Sequence, residues 1–356
     1  RQGFIRPHMA DENDKRTIYM VDMHEPLMFL HNLDTTIKEP FASNPAVLDA
    51  VEKNHKKLQI AMTKLYPGNL VLSLSSGIMY HRLVDRITAL NDVPREPLVP
   101  RRLGKNMCVP FGKILRGKVV PNTVTKTLHT DKVYEPDLNS FTIEPFPYYS
   151  PLKSQIETIK SFDRPVILVD DLVHTANRLQ VLVPQLREDG IPIKKVVVGV
   201  LSGYGRDLMQ CLKVPVESIY SMPNLRQWFV ESTLYPFIGG DTVRREEMKV
   251  AGLQPSINMI LPYATPRLSG CSREALVEFS ACCIENSRDL FQVLEAEYRK
   301  MYAKNLTLSR LSEAVILPLC PDKGSCMEYD ENLAASVYLE NDLETLWRMK
   351  EFLIKG

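Results

Sequence analysis

The sequence predicts an α/β protein with a mostly parallel, doubly wound sheet and a C-terminal helical domain, and three observations carry that prediction. Short apolar runs at 70–74 (LVLSL), 166–169 (VILV) and 195–201 (KVVVGVL) have the unbroken character of strands buried on both faces. Helical periods lie between them, and alternating strands and helices imply right-handed crossovers onto one sheet. Beyond residue 226 the text changes to long helical periods.

Each element has its own signal. Prolines at 26 and 40 break the apolar stretches of 18–41 into short strands and turns, a small lead-in. Asn44 followed by Pro45 opens a helix to Leu65 with apolar residues at Val47, Val51, Leu58 and Met62, and Pro67 and Gly68 stop it. After the strand at 70–74, Ser75, Ser76 and Gly77 form a small-residue loop before a helix at 78–90. From 91 to 151 prolines are frequent and helical period is lost, which predicts irregular strands and long loops. A helix at 154–161, the VILV strand, a helix at 177–188 ended by Gly190, the strand at 195–201 and a fourth strand at 218–221 follow. The C-terminal part reads as helices at 244–251, 272–304, 308–315 and 340–354. The domain reading is therefore a lead-in at 1–59, an α/β domain at 60–225 and a mainly helical domain at 226–356.

Composition limits the partners. A formal charge of +1 over 356 residues gives the whole molecule no attraction to nucleic acid or anionic membrane. No apolar run approaches the roughly eighteen residues of a membrane span, and no secretory leader is present, so a cytosolic, non-membrane protein is expected. The seven cysteines fit a reducing compartment. Cys320 and Cys326, with the adjacent Cys282 and Cys283, offer soft ligands, but their spacing matches no zinc or iron–sulfur pattern. The expectation is that no metal is held by this set and that Cys282 and Cys283 sit in the core of an amphipathic helix. The chain opens on Arg1 and RQGFIRPH, text expected from the middle of a longer protein with a further N-terminal domain. A homo-oligomer is also compatible.

In a doubly wound sheet ligands bind beyond the carboxyl ends of the strands, where loops gather and helix N-termini point. Ser75–Gly77, 170–178 and 202–205 qualify. The middle loop is the most informative: VILV runs into Asp170 and Asp171, and Thr175 opens the next helix. Carboxylates there can accept from vicinal ribose hydroxyls, while a hydroxyl and helix amides can hold a phosphate. The bland alternative is that the two acids only cap the helix. A P-loop reading fails because Gly104 to Ile114 has the wrong spacing and no hydroxyl after Lys113. The aromatic stretch 228–241 either stacks a base or pins the helical domain, and pinning is expected.

VILVDDLVHTANR resembles the signature of the type I phosphoribosyltransferases: four apolar residues, two acids, a short spacer, then a Thr-Gly-Gly-Thr-like loop. By position Asp170 and Asp171 match the ribose-binding acids and Thr175 the first phosphate-loop threonine, while Ala176, Asn177 and Arg178 stand where the family has two glycines and a hydroxyl residue. The resemblance implies that Ser75, Ser76 and Gly77 bind diphosphate and that the basic stretch 95–132, with Lys113 in it, closes over the ligand; Ser202 and Gly203, in the third strand-end loop, are expected at the same edge. It also implies 5-phosphoribosyl 1-diphosphate or a nucleotide as ligand, with Mg²⁺ accompanying the diphosphate, in either a transferase or a non-catalytic sensing module.

Overall fold

The computed structural model describes residues 3–5, 19–245, 250–266, 268, 270–323 and 328–355. In chain order its strands are β1 (Gly3–Ile5), β2 (Tyr19–His31), β3 (Asn69–Ser75), β4 (Met107–Pro110), β5 (Val124–Thr125), β6 (Thr130–Tyr134), β7 (Phe141–Pro145), β8 (Val166–Val173), β9 (Ile193–Ser202), β10 (Val216–Met222), β11 (Gln227–Val230), β12 (Asp241–Val243), β13 (Gln254–Ile257) and β14 (Leu319–Pro321). Its helices are α1 (Pro45–Leu65), α2 (Ser76–Leu90), α3 (Leu152–Lys160), α4 (Asn177–Glu188), α5 (Gly203–Cys211), α6 (Arg273–Tyr302) and α7 (Ala335–Lys355). The chain divides into two compact units: Arg1–Ser73 with Tyr134–Ser140 and Arg226–Gly356, and Leu74–Val133 with Phe141–Leu225.

The second unit holds a five-stranded sheet in the order β10-β9-β8-β4-β5, parallel at every pairing. Both faces are covered, so its strands bury consecutive residues: Val166 to Val169 and Val196 to Val198 are all at most 1% exposed. Ile156 and Ile159 of α3, Leu179, Leu182 and Leu186 of α4 and Met209 of α5 share a core with Met107, Val109, Val166, Leu168, Val196 and Val198. On the other face α2 packs on β9 and β10. The α/β class and parallel sheet follow the sequence, with α4 spanning the predicted 177–188.

β4 differs from the sequence reading. The proline-rich stretch was expected to be irregular, yet MCVP forms a fully buried strand between β8 and β5. Burial of four consecutive apolar residues outweighs the loop-like composition around them. The basic stretch 95–132 is accordingly not one loop, since β4 and β5 run through it.

In the first unit Pro45 and the Asn44 side chain start α1, Asn44 Oδ1 accepting from the amides of Ala46 (2.9 Å) and Val47 (3.4 Å). The face bearing Val47, Val51, Leu58 and Met62 is buried in a core shared with α6 and α7. Asn54 and Asn286 tie α1 to α6, each side-chain amide donating to the other's backbone carbonyl at 2.8 and 3.1 Å. The 1–59 segment is thus no separate lead-in: α1 buries its apolar face with residues after 226. The two short strands expected around Pro26 are one, β2, whose start pairs with β1 and whose end pairs with β11, with Pro26 between the two ladders. β3 also pairs with β2.

Two expectations about the later chain are corrected, and one alternative for the aromatic stretch is removed. Arg244 and Arg245 are not helical and Val250 and Ala251 form a bend and turn, while 246–249 lie outside the described residues. Residues after 226 also carry β11 to β14 beside the helices. In the aromatic stretch, Tyr235 and Phe237 are fully buried in this unit's core, leaving neither ring face to stack a base. Among the described residues no helix is long and apolar enough to cross a membrane.

Candidate functional site

The strand order places a switch point. From β4 the chain steps outward to β5 on one side, and from β8 it steps to β9 and β10 on the other, so the switch point, where open α/β sheets bind ligands, lies between β4 and β8. The expected loop at 170–178 is shorter: Asp170 and Asp171 stand within β8, only 174–176 connect it to α4, and Asn177 and Arg178 open that helix, because the ladder to β9 runs on to Val173. The loop after β4 carries Phe111 to Ile114.

β8 and the loop after β4 meet through the acids. Asp171 accepts from the backbone amides of Lys113 (2.7 Å) and Ile114 (3.0 Å). Asp170 Oδ1 accepts from the Asp171 amide at 2.8 Å. Gly112 is what lets them close: a Cβ there would lie 2.6 Å from an oxygen of each carboxylate and 2.8 Å from the Asp171 nitrogen. Asp170 keeps some surface, but burial of its carboxyl pushes it up to about 7, with Arg178 pulling the other way and Asp171 adding to the rise.

Two guanidinium groups complete the cluster. Arg178, in the first turn of α4, donates to the Phe111 carbonyl at 3.2 Å. Arg116 lies over the Phe146 ring at 5.2 Å and reaches the Thr130 carbonyl at 3.5 Å. Burial, with Arg178 adding, loosens the proton on Arg116, while Asp131 and Asp171 hold it. Its Nε is buried without a hydrogen-bond partner. Two cations and two acids therefore share one edge of the sheet.

Thr175, Ala176, Asn177 and Arg178 lie together where α4 begins. Ala176 is the N-cap and takes φ +50° and ψ +20°, the left-handed conformation that glycine adopts most easily. The backbone has kept the shape a glycine would give it although the residue has a Cβ. No side chain caps α4, so its first amides are available to an anion. Asn177 Nδ2 donates to the Thr175 hydroxyl at 2.9 Å.

The remaining predicted residues divide differently. Ser202 is buried and caps α5 by accepting from the Gly205 amide at 3.0 Å, and it lies 2.8 Å from His174 Nδ1. Burial lowers His174, which fits a structural role. Gly203 is required by packing, since a Cβ would meet the Pro223 carbonyl oxygen at 2.5 Å. Ser75, Ser76 and Gly77 were expected to follow a strand of the same sheet, but β3 pairs with β2 and is not in the parallel sheet. Ser76 and Gly77 instead form the first turn of α2, and Ser76 Oγ is buried without a partner. The strand edge facing the acids belongs to β4. Lys113 is exposed and meets Asp171 through its backbone.

The sequence reading missed Gly112 and gave no particular role to Arg116. The signal for Gly112 was present in MCVPFG, an apolar run ended by glycine, but surrounding prolines masked it. Of the two adjacent cysteines only Cys283 sits in the core, Cys282 being partly buried; burial pushes Cys282 up to about 11 and Cys283 well above its usual range. Neither is poised as a thiolate ligand. Cys326 lies outside the described residues.

These features define an α/β protein with a candidate anion and polyol crevice at the switch point of a parallel sheet. No family model matches the chain, and no curated protein matches it. Among solved structures, a purine phosphoribosyltransferase from Pyrococcus horikoshii Ot3 is similar over 43% of this chain and 88% of that chain, with 11% identity and a TM-score of 0.27. The fold described above rests on strand order and register.

Proposed function

We propose that the parallel-sheet unit binds a ribose phosphate, either 5-phosphoribosyl 1-diphosphate or a nucleotide, in the crevice between the loops after β4 and β8. The observation that carries this reading is the pairing of Asp171 with the Lys113 and Ile114 amides, beside Asp170 and a few residues from the uncapped start of α4. The acids would accept from the ribose hydroxyls. The α4 amides and the Thr175 hydroxyl would hold the 5′-phosphate, with the left-handed turn at Ala176 aiming those amides outward. Arg116 and Arg178 would offset the charge of the ligand.

The diphosphate role implied for Ser75–Gly77 passes in this reading to the Lys113 and Ile114 amides, which already bind a carboxylate. Transfer of the phosphoribosyl group requires that Asp171 give up those amides when diphosphate enters. The protein's contribution would then be positioning and charge neutralisation as diphosphate departs. Mg²⁺ suits this chemistry only in part. Both Asp171 oxygens and one Asp170 oxygen are engaged by amides, so the ion would be held chiefly by diphosphate oxygens.

A second reading, a non-catalytic ribose-phosphate sensor, is favoured by the same Asp171 contacts, because an internal carboxylate occupying the anion amides makes ligand entry a switch. The deciding experiment is thermal shift with 5-phosphoribosyl 1-diphosphate, ribose 5-phosphate and nucleoside monophosphates, each with and without Mg²⁺, coupled to an assay for released diphosphate. Ligand at a hundred times its Kd should stabilise the chain by about 2.7 kcal/mol. Stabilisation with release supports transfer, and stabilisation without release supports sensing. No shift with any of these ligands, or an equal shift in Arg178→Met, removes the proposed site.

A further inference from the structure

A second cluster lies wholly within the first unit. His31 ends β2, His55 lies on the buried side of α1, and Glu231 follows β11 directly. The parallel register that pairs Val230 with Leu30 brings Glu231 beside His31, although 200 positions separate them in the chain. His31 Nδ1 and His55 Nδ1 are 3.1 Å apart. His55 Nδ1 also bonds Glu231 Oε1, and Glu231 Oε2 lies 3.8 Å from His31 Nδ1.

We propose that His31, His55 and Glu231 form a binding site for a divalent transition-metal ion of the zinc class. Glu231 is completely buried, yet its Oε2 has no hydrogen-bond partner. Hydrogen bonds cannot satisfy the three groups together. One proton at most fits between the two Nδ1 atoms, and a single Nδ1–H on His55 cannot serve both His31 and the carboxylate. A cation at the point where the atoms converge serves all three at once.

The spacing agrees with that occupant. In a tetrahedral zinc site with bonds of about 2.0–2.1 Å, ligand atoms stand about 3.3 Å apart. The 3.1 and 3.8 Å separations bracket this value, the His55 Nδ1–Glu231 Oε1 contact is shorter and would open on an ion, and the candidate ligand atoms all lie within 4.8 Å of one another. Two imidazoles and one carboxylate suit zinc better than magnesium or calcium, which prefer oxygen alone. The side chains of His31 and His55 are 16% and 24% exposed, so the cluster is not sealed from solvent, and three protein ligands would leave a fourth position for water.

Outer contacts orient the ligands. The Ser73 hydroxyl lies 2.6 Å from His31 Nε2, and Gln59 donates to that hydroxyl at 2.7 Å. Gln59 Nε2 also lies 3.2 Å from His31 Nε2; in the tautomer that donates the Nε2 proton to the Ser73 hydroxyl, the His31 Nδ1 lone pair faces the cluster. Beside Glu231, Asn32 clamps Ser232 twice, accepting from its amide at 2.9 Å and donating to its hydroxyl at 2.9 Å.

The test uses the purified chain after chelator treatment, titrated with Zn²⁺ by calorimetry and with Co²⁺ by visible absorption. One ion per chain and a tetrahedral cobalt spectrum without a thiolate charge-transfer band are expected. His55→Ala and Glu231→Gln should each weaken Zn²⁺ binding by about 100-fold or more, and Ser73→Ala by about tenfold. Should Glu231→Gln fail to fold, His55→Ala, at a partly exposed position, carries the test. No saturable binding, unchanged affinity in His55→Ala, or a thiolate band overturns the site.

Discussion

Asp171 and Lys113 are 58 positions apart in the chain, and the carboxylate of one accepts the backbone amide of the other at 2.7 Å. That bond, with its partner from Ile114, closes the crevice at the switch point with a negative charge the protein itself supplies. Ligand anions seeking these amides must compete with Asp171. Removing the charge should free them: Asp171→Asn should destabilise the fold by about 1.5–3 kcal/mol for lost charge-assisted hydrogen bonds, seen as a lower denaturation midpoint, and change the affinity for inorganic diphosphate. A variant that unfolds with the parent and binds diphosphate equally would show that the contact does not control the crevice.

Gly112 should tolerate no side chain. A Cβ would stand 2.6 Å from both carboxylates, and the backbone of Asp171 blocks retreat. Gly112→Ala should cost about 1–3 kcal/mol, the usual range for overpacking, measured by urea unfolding. Gly117 is the control, with nothing within 4 Å of its Cβ position but a φ of +71°, so any loss in Gly117→Ala reflects backbone strain alone. Equal losses at the two positions would mean that the Gly112 contact is not decisive.

At Ala176 the direction reverses. Its φ of +50° is strained for alanine, and the left-handed region costs an L-residue roughly 1–2 kcal/mol. Ala176→Gly gives part of that back to the more flexible unfolded chain, so a net gain of about 0.5–1 kcal/mol is expected. A lower melting temperature in the glycine variant would show that burial of the Ala176 methyl outweighs the strain.

These positions also mark how far the sequence could be read. Buried strands and long amphipathic helices were legible because periodicity is local: α1 and α4 run as expected, with Asn44 capping α1. β4 was hidden because a four-residue strand between prolines has too little length to show a period, and only its neighbours β8 and β5 make it a strand. The acids were legible at the tip of an apolar run. The partner loop was not, because which strand lies beside β8 is settled by tertiary pairing, and β3, with the stronger local signal, pairs with β2 instead. The Glu231 cluster left no trace in sequence, since its members come from three elements brought together only by the β2–β11 register.

The final prediction concerns pH. Burial raises Asp170 from 3.8 to about 7, so between those values the folded protein holds a proton that the unfolded chain releases. Stability must then fall as pH rises through that window, because the folded state binds more protons there. Asp170→Asn carries no ionisable proton and escapes the penalty. Its stability relative to the parent should therefore improve from pH 4 to pH 7, by up to about 1.4 kcal/mol per pH unit, and level off above. Chemical denaturation of both proteins at pH 4, 5.5, 7 and 8 measures this. A difference that stays flat across the series, or one that turns against the asparagine variant as pH rises, would mean that the two arginines keep Asp170 ionised throughout, and the crevice would then carry two full negative charges at neutral pH.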